Sequence, residues 1–298
     1  MALAVAFAYS TYWGRALRWA VFLKPLKPKP SLRNLISATV VGFTAITLLG
    51  RPGEFVRPYL IATKEQVPVA SQLAAWVLER LADLLMVLLL FGFALARVGS
   101  SGVSVGPRMA LVLRLGGRAA AIAAVAMVVV LVLFRHFSEP ARRILMRTLQ
   151  VLPDAFQARA DKLVATFLQG IESVRSDGAL FLILLYSVLE WALIVASYGC
   201  LAASFPGLNF TIVDLLVLMG FVSLGASVQI PGVGGGVQVM AVLVLTEIFR
   251  IRLETATAFA FLAWVLTFVA VVPPGILISL KEGLEWRKLH RVGTGGSL

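Results

Sequence analysis

Four groups of polar or glycine residues interrupt otherwise apolar sequence, and each suggests a different chemistry. Glu79-Arg80-Leu81-Ala82-Asp83 lies 9 to 13 residues into a helix that begins near Ala70, roughly 14–20 Å deep if that helix crosses a bilayer straight. Glu79 and Asp83 are four apart and share a helical face, and Arg80 is three from Asp83. Ionisable groups at that depth are costly and turn toward a bundle interior or a cavity. They either handle a polar ligand or form a self-satisfied ion pair that fixes packing. Gly53-Glu54-Phe55-Val56-Arg57 opens a helix just after Arg51-Pro52. Glu54 and Arg57 share a face at a spacing of three, and a free helix start attracts anions. Arg51, Arg57 and the amides near Gly53 suit a phosphate, or the arginines are ordinary interfacial anchors. Glu190 stands alone among apolar residues beside Trp191. It needs an arginine or a proton, for proton coupling or for a structural hydrogen bond. Pro231-Gly232-Val233-Gly234-Gly235-Gly236, flanked by Gln229 and Gln238, is too glycine-rich for a packed helix. It suits an unwound tip whose amides line a site, or close packing of small residues. No strand precedes it and no Lys-Ser/Thr follows, so it is not a nucleotide loop.

Composition sets the surroundings of these groups. Of 298 residues, 59% are hydrophobic and only 14% are charged; the mean hydropathy is +0.91. Soluble domains average far more charge. Ala256 to Leu280 carries no charge, and Leu180 to Phe205 carries only Glu190. A spanning helix needs about 20 apolar residues. The 27 basic residues exceed the 15 acidic ones, giving +12. In this setting the excess fits cytoplasmic loops and anionic lipid headgroups. No basic groove with stacking aromatics appears, so nucleic acid is not expected. Cys200 is the single cysteine, and His136 and His290 have no ligand spacing around them. No disulfide, metal, haem or other cofactor is expected. The first nine residues lack the basic start of a signal peptide.

The elements that position the polar groups follow from punctuation. A helix is expected over 2–23, then a proline-rich linker 24–30 that cannot be helical. Ser31 is the N-cap of a broken pair, 32–50 and 53–64. Helices follow at 69–96 and 110–136, with a Gly- and Ser-rich loop at 99–107 between them. The polar stretch 139–176 is expected to form interfacial or soluble helices. A helix covers 179–203, and Thr211 to Asp214 forms a capping box for a second broken pair, 211–229 and 233–250. The last helix, 256–280, is expected to kink at Pro273-Pro274. The Trp residues at 13, 19, 76, 264 and 286 fit interfacial belts or core packing and receive no site.

The two broken pairs repeat one pattern. Gly42-Phe43 and Gly220-Phe221 lie 178 residues apart, and Pro52-Gly53 and Pro231-Gly232 lie 179 apart. Interrupted apolar segments at matching places in two halves point to a transporter-like site near the membrane midplane. The expected fold class is an all-α polytopic membrane protein with two inverted repeats. Each repeat has a helix, a broken re-entrant hairpin and a further helix. Repeat one covers 1–97, a connecting segment 98–178, repeat two 179–280 and a basic tail 281–298. Three crossings separate the starts of the two units, and an odd number inverts the second. Arg15, Arg18, Lys24, Lys27, Lys29 and Arg33 are counted as one cytoplasmic cluster, with the tail and 135–178 on the same side. Residues 204–213 carry no charge and fall opposite; Arg97, Arg108, Arg114 and Arg118 dissent. No helix precedes unit one to match 110–136, so a relative with an additional N-terminal helix is expected.

In Arg15-Ala16-Leu17-Arg18-Trp19, Gly50-Arg51-Pro52-Gly53-Glu54-Phe55-Val56-Arg57, Val77 to Asp83 and Ile230-Pro231-Gly232-Val233-Gly234, the chain resembles the lysylphosphatidylglycerol synthase transmembrane-region family. The Gly-Glu-x-x-Arg, Glu-Arg-x-x-Asp and late Pro-Gly elements occur in the family's order over nearly the whole chain. The resemblance implies a flippase-like protein. In bifunctional relatives this region is similar to the part that moves lysyl-phosphatidylglycerol, and others are linked to hopanoid or isoprenoid lipids. The soluble aminoacyl-transferring domain is absent from this sequence, so lysyl transfer is not implied. Family members often carry an acid where this chain has Gln238.

Together these point to a lipid flippase or transporter of the bacterial-type inner membrane, multi-pass, with a cytoplasmic C-terminus and no enzymatic activity. It would bind an anionic or polyprenyl-type lipid through Arg51, Gly53, Glu54, Arg57, Glu79, Arg80, Asp83 and Glu190 on one side. Pro231, Gly232, Gly234, Gly235 and Gln238 would act on the other. Partners would be membrane lipids, with a homo-oligomer or a membrane complex possible. The competing reading is an accessory subunit that keeps the fold without transport. An intramembrane enzyme acting on a lipid phosphate, with Glu79 or Asp83 as base, lacks a nucleophile–base–metal constellation.

Overall fold

The computed structural model describes residues 1–97, 111, 115–129, 132, 154–171, 176–226, 228–232 and 234–284. The loop expected at 99–107, all of 135–153 and the tail beyond 284 lie outside the described residues.

The chain is mostly helical. Helix α1 (Ala2–Leu23) stops at the proline linker. Ser31 caps α2 (Leu32–Leu49) by accepting the Asn34 N–H. Gly50, at φ 73°, ends α2, and a 3₁₀ turn over Arg51–Phe55 leads into α3 (Val56–Glu65). Helices α2 and α3 pack as a hairpin. A Cβ on Gly53 would stand 2.3 Å from the Ala45 carbonyl oxygen, so only glycine fits that contact. Helix α4 (Val69–Arg97) follows. Helix α5 (Leu115–Val129) lies beside it, with Gly117 against Leu95. Helix α6 (Asp154–Ile171) lies against the start of α4, where Gly170 meets the Ser71 carbonyl. This is the described part of the polar 139–176 stretch.

Helix α7 (Asp177–Ala202) starts the second half, capped by Ser176. The Thr211–Asp214 capping box opens α8 (Ile212–Gly225). The glycine stretch forms a two-residue antiparallel ladder, β1 (Gln229–Ile230) on β2 (Gly234–Gly235). Helix α9 (Gly236–Leu243) then returns and ends in a π turn at Val244–Ile248. Gly225 and Gly236 touch backbone to backbone where α8 and α9 meet. Helices α8 and α9 pack against each other as a second hairpin.

The last segment differs from expectation in where it breaks. Helix α10 (Leu253–Trp264) gives way to a π turn at Val265–Val269, and α11 (Val272–Lys281) begins with Pro273 and Pro274 in its first turn. The break precedes the prolines because a proline ring cannot tolerate, or donate to, the carbonyl four residues back. The carbonyls around this break accept hydroxyls from the first half. Tyr9 and Tyr12 of α1 donate to Ala270 and Thr267, and Thr44 and Thr47 of α2 donate to Val271 and Phe268.

The halves interlock. Helix α2 packs on α11 and on the π turn before it, and α8 packs on α4, where Phe91 meets Phe221 edge to face. Helices α1 and α7 run antiparallel: Ala4 meets Ser197, Arg15 meets Glu190 and Arg18 meets Ser187. The core has two large parts and a small third one of Tyr12, Val40 and Val271. One large part, around Trp19, Leu35, Val41 and Leu60, surrounds the first hairpin; the other, around Leu201, Leu218, Leu245 and Phe259, surrounds the second. Three helical stretches among the described residues are long and apolar enough to cross a membrane: Leu32–Leu49, Asp177–Ala202 and Leu253–Lys281. The first is 56% buried, against 28% and 22% for the others; α2 is therefore wrapped in protein while α7 and α10–α11 present apolar faces outward. Phe181, Leu185 and Val188 stand exposed on α7.

Candidate functional site

The charged residues meet at the junction of the two cores. Arg15 and Arg18, three apart, leave one face of α1 toward α4 and α7. They are not linker charges, contrary to their place in the cytoplasmic cluster. Arg18 is fully buried and cannot anchor at an interface; it binds Asp83 at 2.7 Å, Glu79 at 2.8 Å, Ser187 at 2.8 Å and Glu190 at 3.2 Å. Arg15 pairs with Glu190 and stands 3.7 Å from Asp83. From α3, Arg57 grips Glu79 through both carboxylate oxygens at 3.0 and 2.9 Å. Its guanidinium lies 4.3 Å from the centre of the Trp19 ring, whose indole donates to Gln72. Arg80 completes the group, 3.5 Å from Asp83 and 3.6 Å from Glu79. A network this buried holds only if its members are paired, and Glu79 is bound by two arginines.

A cavity of about 340 Å³ opens on this network and reaches both hairpins. Arg15, Arg51, Glu54, Arg80 and Asp83 line its charged end. Leu84, Val87, Ile194, Met219 and Val222 line the rest. The hairpin tips touch beside it. The Gly232 N–H donates to the Thr47 carbonyl at 2.9 Å, Pro231 packs on Gly50, and Arg51 donates to the Ala226 carbonyl at 3.3 Å. Such a cavity binds something with one polar end and one apolar end.

The residues expected at the site therefore separate into three positions. Arg51, Glu54, Arg80 and Asp83 line the cavity; Arg57, Glu79 and Glu190 stand behind its wall. The second hairpin contributes differently from expectation. Pro231, Gly232, Gly234, Gly235 and Gln238 build the tip but do not line the cavity, which is faced by Val222, Ser223, Ala226 and Val237. The tip amides are used internally: Gly232 bonds Thr47, and Gly235 donates to Gln238 Oε1 at 2.7 Å.

Two local expectations are corrected. Glu54 and Arg57, expected on one face, turn to different partners: the 3₁₀ turn has three residues per turn and stacks Arg51 over Glu54, these two bond at 2.6 Å, and Arg57 goes to Glu79. The Gly53 amide is not free for an anion, since it donates to the Gly50 carbonyl at 2.9 Å and Gly53 is buried. Sequence reasoning missed Arg15, Arg18, Trp19 and Trp191 at this site. Arg15 and Arg18 carry the signal that marked Glu79 and Asp83, a helical spacing of charges inside an apolar run. Their nearness to the basic linker obscured it. Among the described residues no group of three or more His, Cys, Asp or Glu side chains is placed to hold a metal ion.

A sequence model of the family described as the lysylphosphatidylglycerol synthase TM region matches residues 1–275. The chain belongs to this family. It is an integral membrane protein, as its apolar helices require. No curated protein and no solved structure matches it.

Proposed function

We propose that this protein binds a membrane lipid in the cavity between its two hairpins and moves it across the bilayer, without catalysing a covalent reaction. The observation that carries this is the cavity itself, with arginines and carboxylates at one end and apolar side chains along the rest. Helix lengths support a re-entrant reading of both hairpins. The arms α3, of 10 residues, and α8, of 14, extend about 15 and 21 Å, short of a hydrocarbon core of about 30 Å. The antiparallel α1 and α7, and the reciprocal packing of α2 on α11 with its preceding π turn and of α8 on α4, support two inverted repeats. The basic linker at Lys24, Lys27 and Lys29 supports a cytoplasmic placement for that end, in an inner membrane with the C-terminus on the same side.

The test is reconstitution into vesicles with headgroup-labelled phospholipids and a membrane-impermeant quencher. The protein is expected to make the inner-leaflet label accessible faster than protein-free vesicles do, and Asp83→Asn is expected to slow it. Folded protein that accelerates no labelled lipid would overturn the proposal. Lipid retained through purification but never moved would favour the accessory-subunit reading.

A further inference from the structure

We infer that the cavity is built for one phosphodiester anion carrying an uncharged, hydroxylated headgroup, held by Arg15, Arg80 and the indole N–H of Trp191. This rests on the lipid-cavity reading above and narrows its substrate.

The first observation is unused donors. Trp191 is only 9% exposed, and its Nε1 has no hydrogen-bond partner. The buried Arg15 Nη1 and Arg80 Nε also donate to nothing. All three residues line the cavity. Buried polar atoms without partners are rare and call for an explanation. Indole and guanidinium N–H groups can only donate; the Glu190 oxygens, which also lack a hydrogen bond, are ion-paired with Arg15 and Arg18, so what these three donors miss is an acceptor. Donors of two chemical types facing one space suit an oxygen-rich anion, and arginine suits phosphate in particular.

The second observation is charge. Arg15, Arg18, Arg57 and Arg80 face Glu79, Asp83 and Glu190, four positive groups against three negative. Arg51 and Glu54 at the mouth cancel each other. Among the described residues the network therefore carries one excess positive charge in an apolar setting, which is costly unless neutralised. A phosphodiester supplies one negative charge. A diphosphate overshoots, and an aminoacylated headgroup restores the excess.

The third observation concerns the rest of the headgroup. Thr11, Ser197 and Ser223 line the cavity; Thr11 and Ser197 donate their hydroxyl protons to the Ala8 and Ala4 carbonyls, which leaves their oxygens to accept from the hydroxyls of a polyol. The volume, about 340 Å³, holds a headgroup and the first carbons of a glycerol ester against Leu84 and Val87, leaving the acyl tails outside.

Binding to the full-length protein in neutral detergent tests this, using calorimetric titration with dihexanoyl phosphatidylglycerol, dihexanoyl phosphatidylcholine, a short-chain lysyl-phosphatidylglycerol, glycerophosphoglycerol and inorganic phosphate. Phosphatidylglycerol is expected to bind at least about tenfold more tightly than the other two lipids. Trp191→Phe, which keeps the ring and removes the donor, should weaken it by about tenfold or more, the loss of one hydrogen bond to a charged acceptor, with an unchanged melting temperature. Arg15→Gln should weaken it further. If only the lipid binds, the phosphodiester comes from a membrane lipid; if glycerophosphoglycerol binds as tightly, it is a free diester, and both outcomes support the site. Equal affinity for the three lipids overturns the inference, as does wild-type affinity in Trp191→Phe. Should Arg15→Gln fail to fold, the selectivity of the unmodified protein and Trp191→Phe still decide. Loss of this inference alone leaves lipid movement in vesicles intact, whereas loss of the transport reading abolishes movement of every lipid.

Discussion

Arg18 shows how much one side chain holds together here. It is buried, and it reaches carboxylates on α4 and α7 together with a serine on α7. Truncating one member of such a network leaves the others charged and buried, which costs about 3–5 kcal/mol. Arg18→Met is therefore expected to lower the melting temperature in detergent sharply, with Glu190→Gln restoring part of the loss in the double variant because the two sites share a contact. Arg80 is 41% exposed, so Arg80→Gln should change lipid binding more than stability. Outside the spanning segments, Glu65 ties α3 to the linker. Burial alone would raise its carboxyl, but hydrogen bonds from Lys27, Asn34 and the Ser31 amide outweigh that and hold it below the usual carboxylate range. A value lower in the folded than in the unfolded state adds stability that is complete above the unfolded value, near ~4.3, and fades as pH falls below it. Melting temperature between pH 7 and pH 3 should thus drop at the acid end more steeply in the unmodified protein than in Glu65→Gln.

At the scale of elements, the hairpins depend on a few backbone contacts that tolerate no side chain. Gly53→Ala would push a methyl group into the Ala45 carbonyl and should destabilise by about 1–3 kcal/mol. Gly14, inside α1, has open space where a methyl group would go, with nothing within 4 Å, so Gly14→Ala should be neutral or stabilise by up to ~1 kcal/mol. Thermal unfolding of the two variants side by side checks both. The hairpins are legible in the sequence because Pro-Gly punctuation and caps are local: Ser31, Thr211 and Asp214 act as their positions indicate. The break before α11 lies several residues ahead of the expected kink because a proline disturbs the turn preceding it. The hydroxyls of Tyr9, Tyr12, Thr44 and Thr47 that donate to the carbonyls around this break come from distant sequence, where no local signal marks them. The shared face expected for Glu54 and Arg57 gives way for a related reason: it presumes an α-helical turn where the chain forms a 3₁₀ turn.

For the whole molecule, the 178-residue spacing makes the two halves visible but not their interlocking, since no local signal states that α2 packs on α11 and the π turn before it. Single-cysteine labelling in a Cys200→Ser background tests the proposed orientation. A cysteine replacing Lys29 should react with an impermeant reagent only from the cytoplasmic side, and one replacing the exposed Asn209 only from the opposite side; labelling of both from one side would reverse or break the arrangement. The distribution of charge over the elements has a consequence for biogenesis. Helix α1 carries Arg15 and Arg18, yet Glu79 follows Arg18 by 61 residues and the Ser187 contact by 169. Each arginine at a helix centre costs about 2.5–3.5 kcal/mol on insertion scales. Helix α1 is made before α4 and α7, yet it becomes electrically settled in the bilayer only after both. Its final seating has to wait for α4 and then for α7, so the order of synthesis and the order of assembly run opposite to each other.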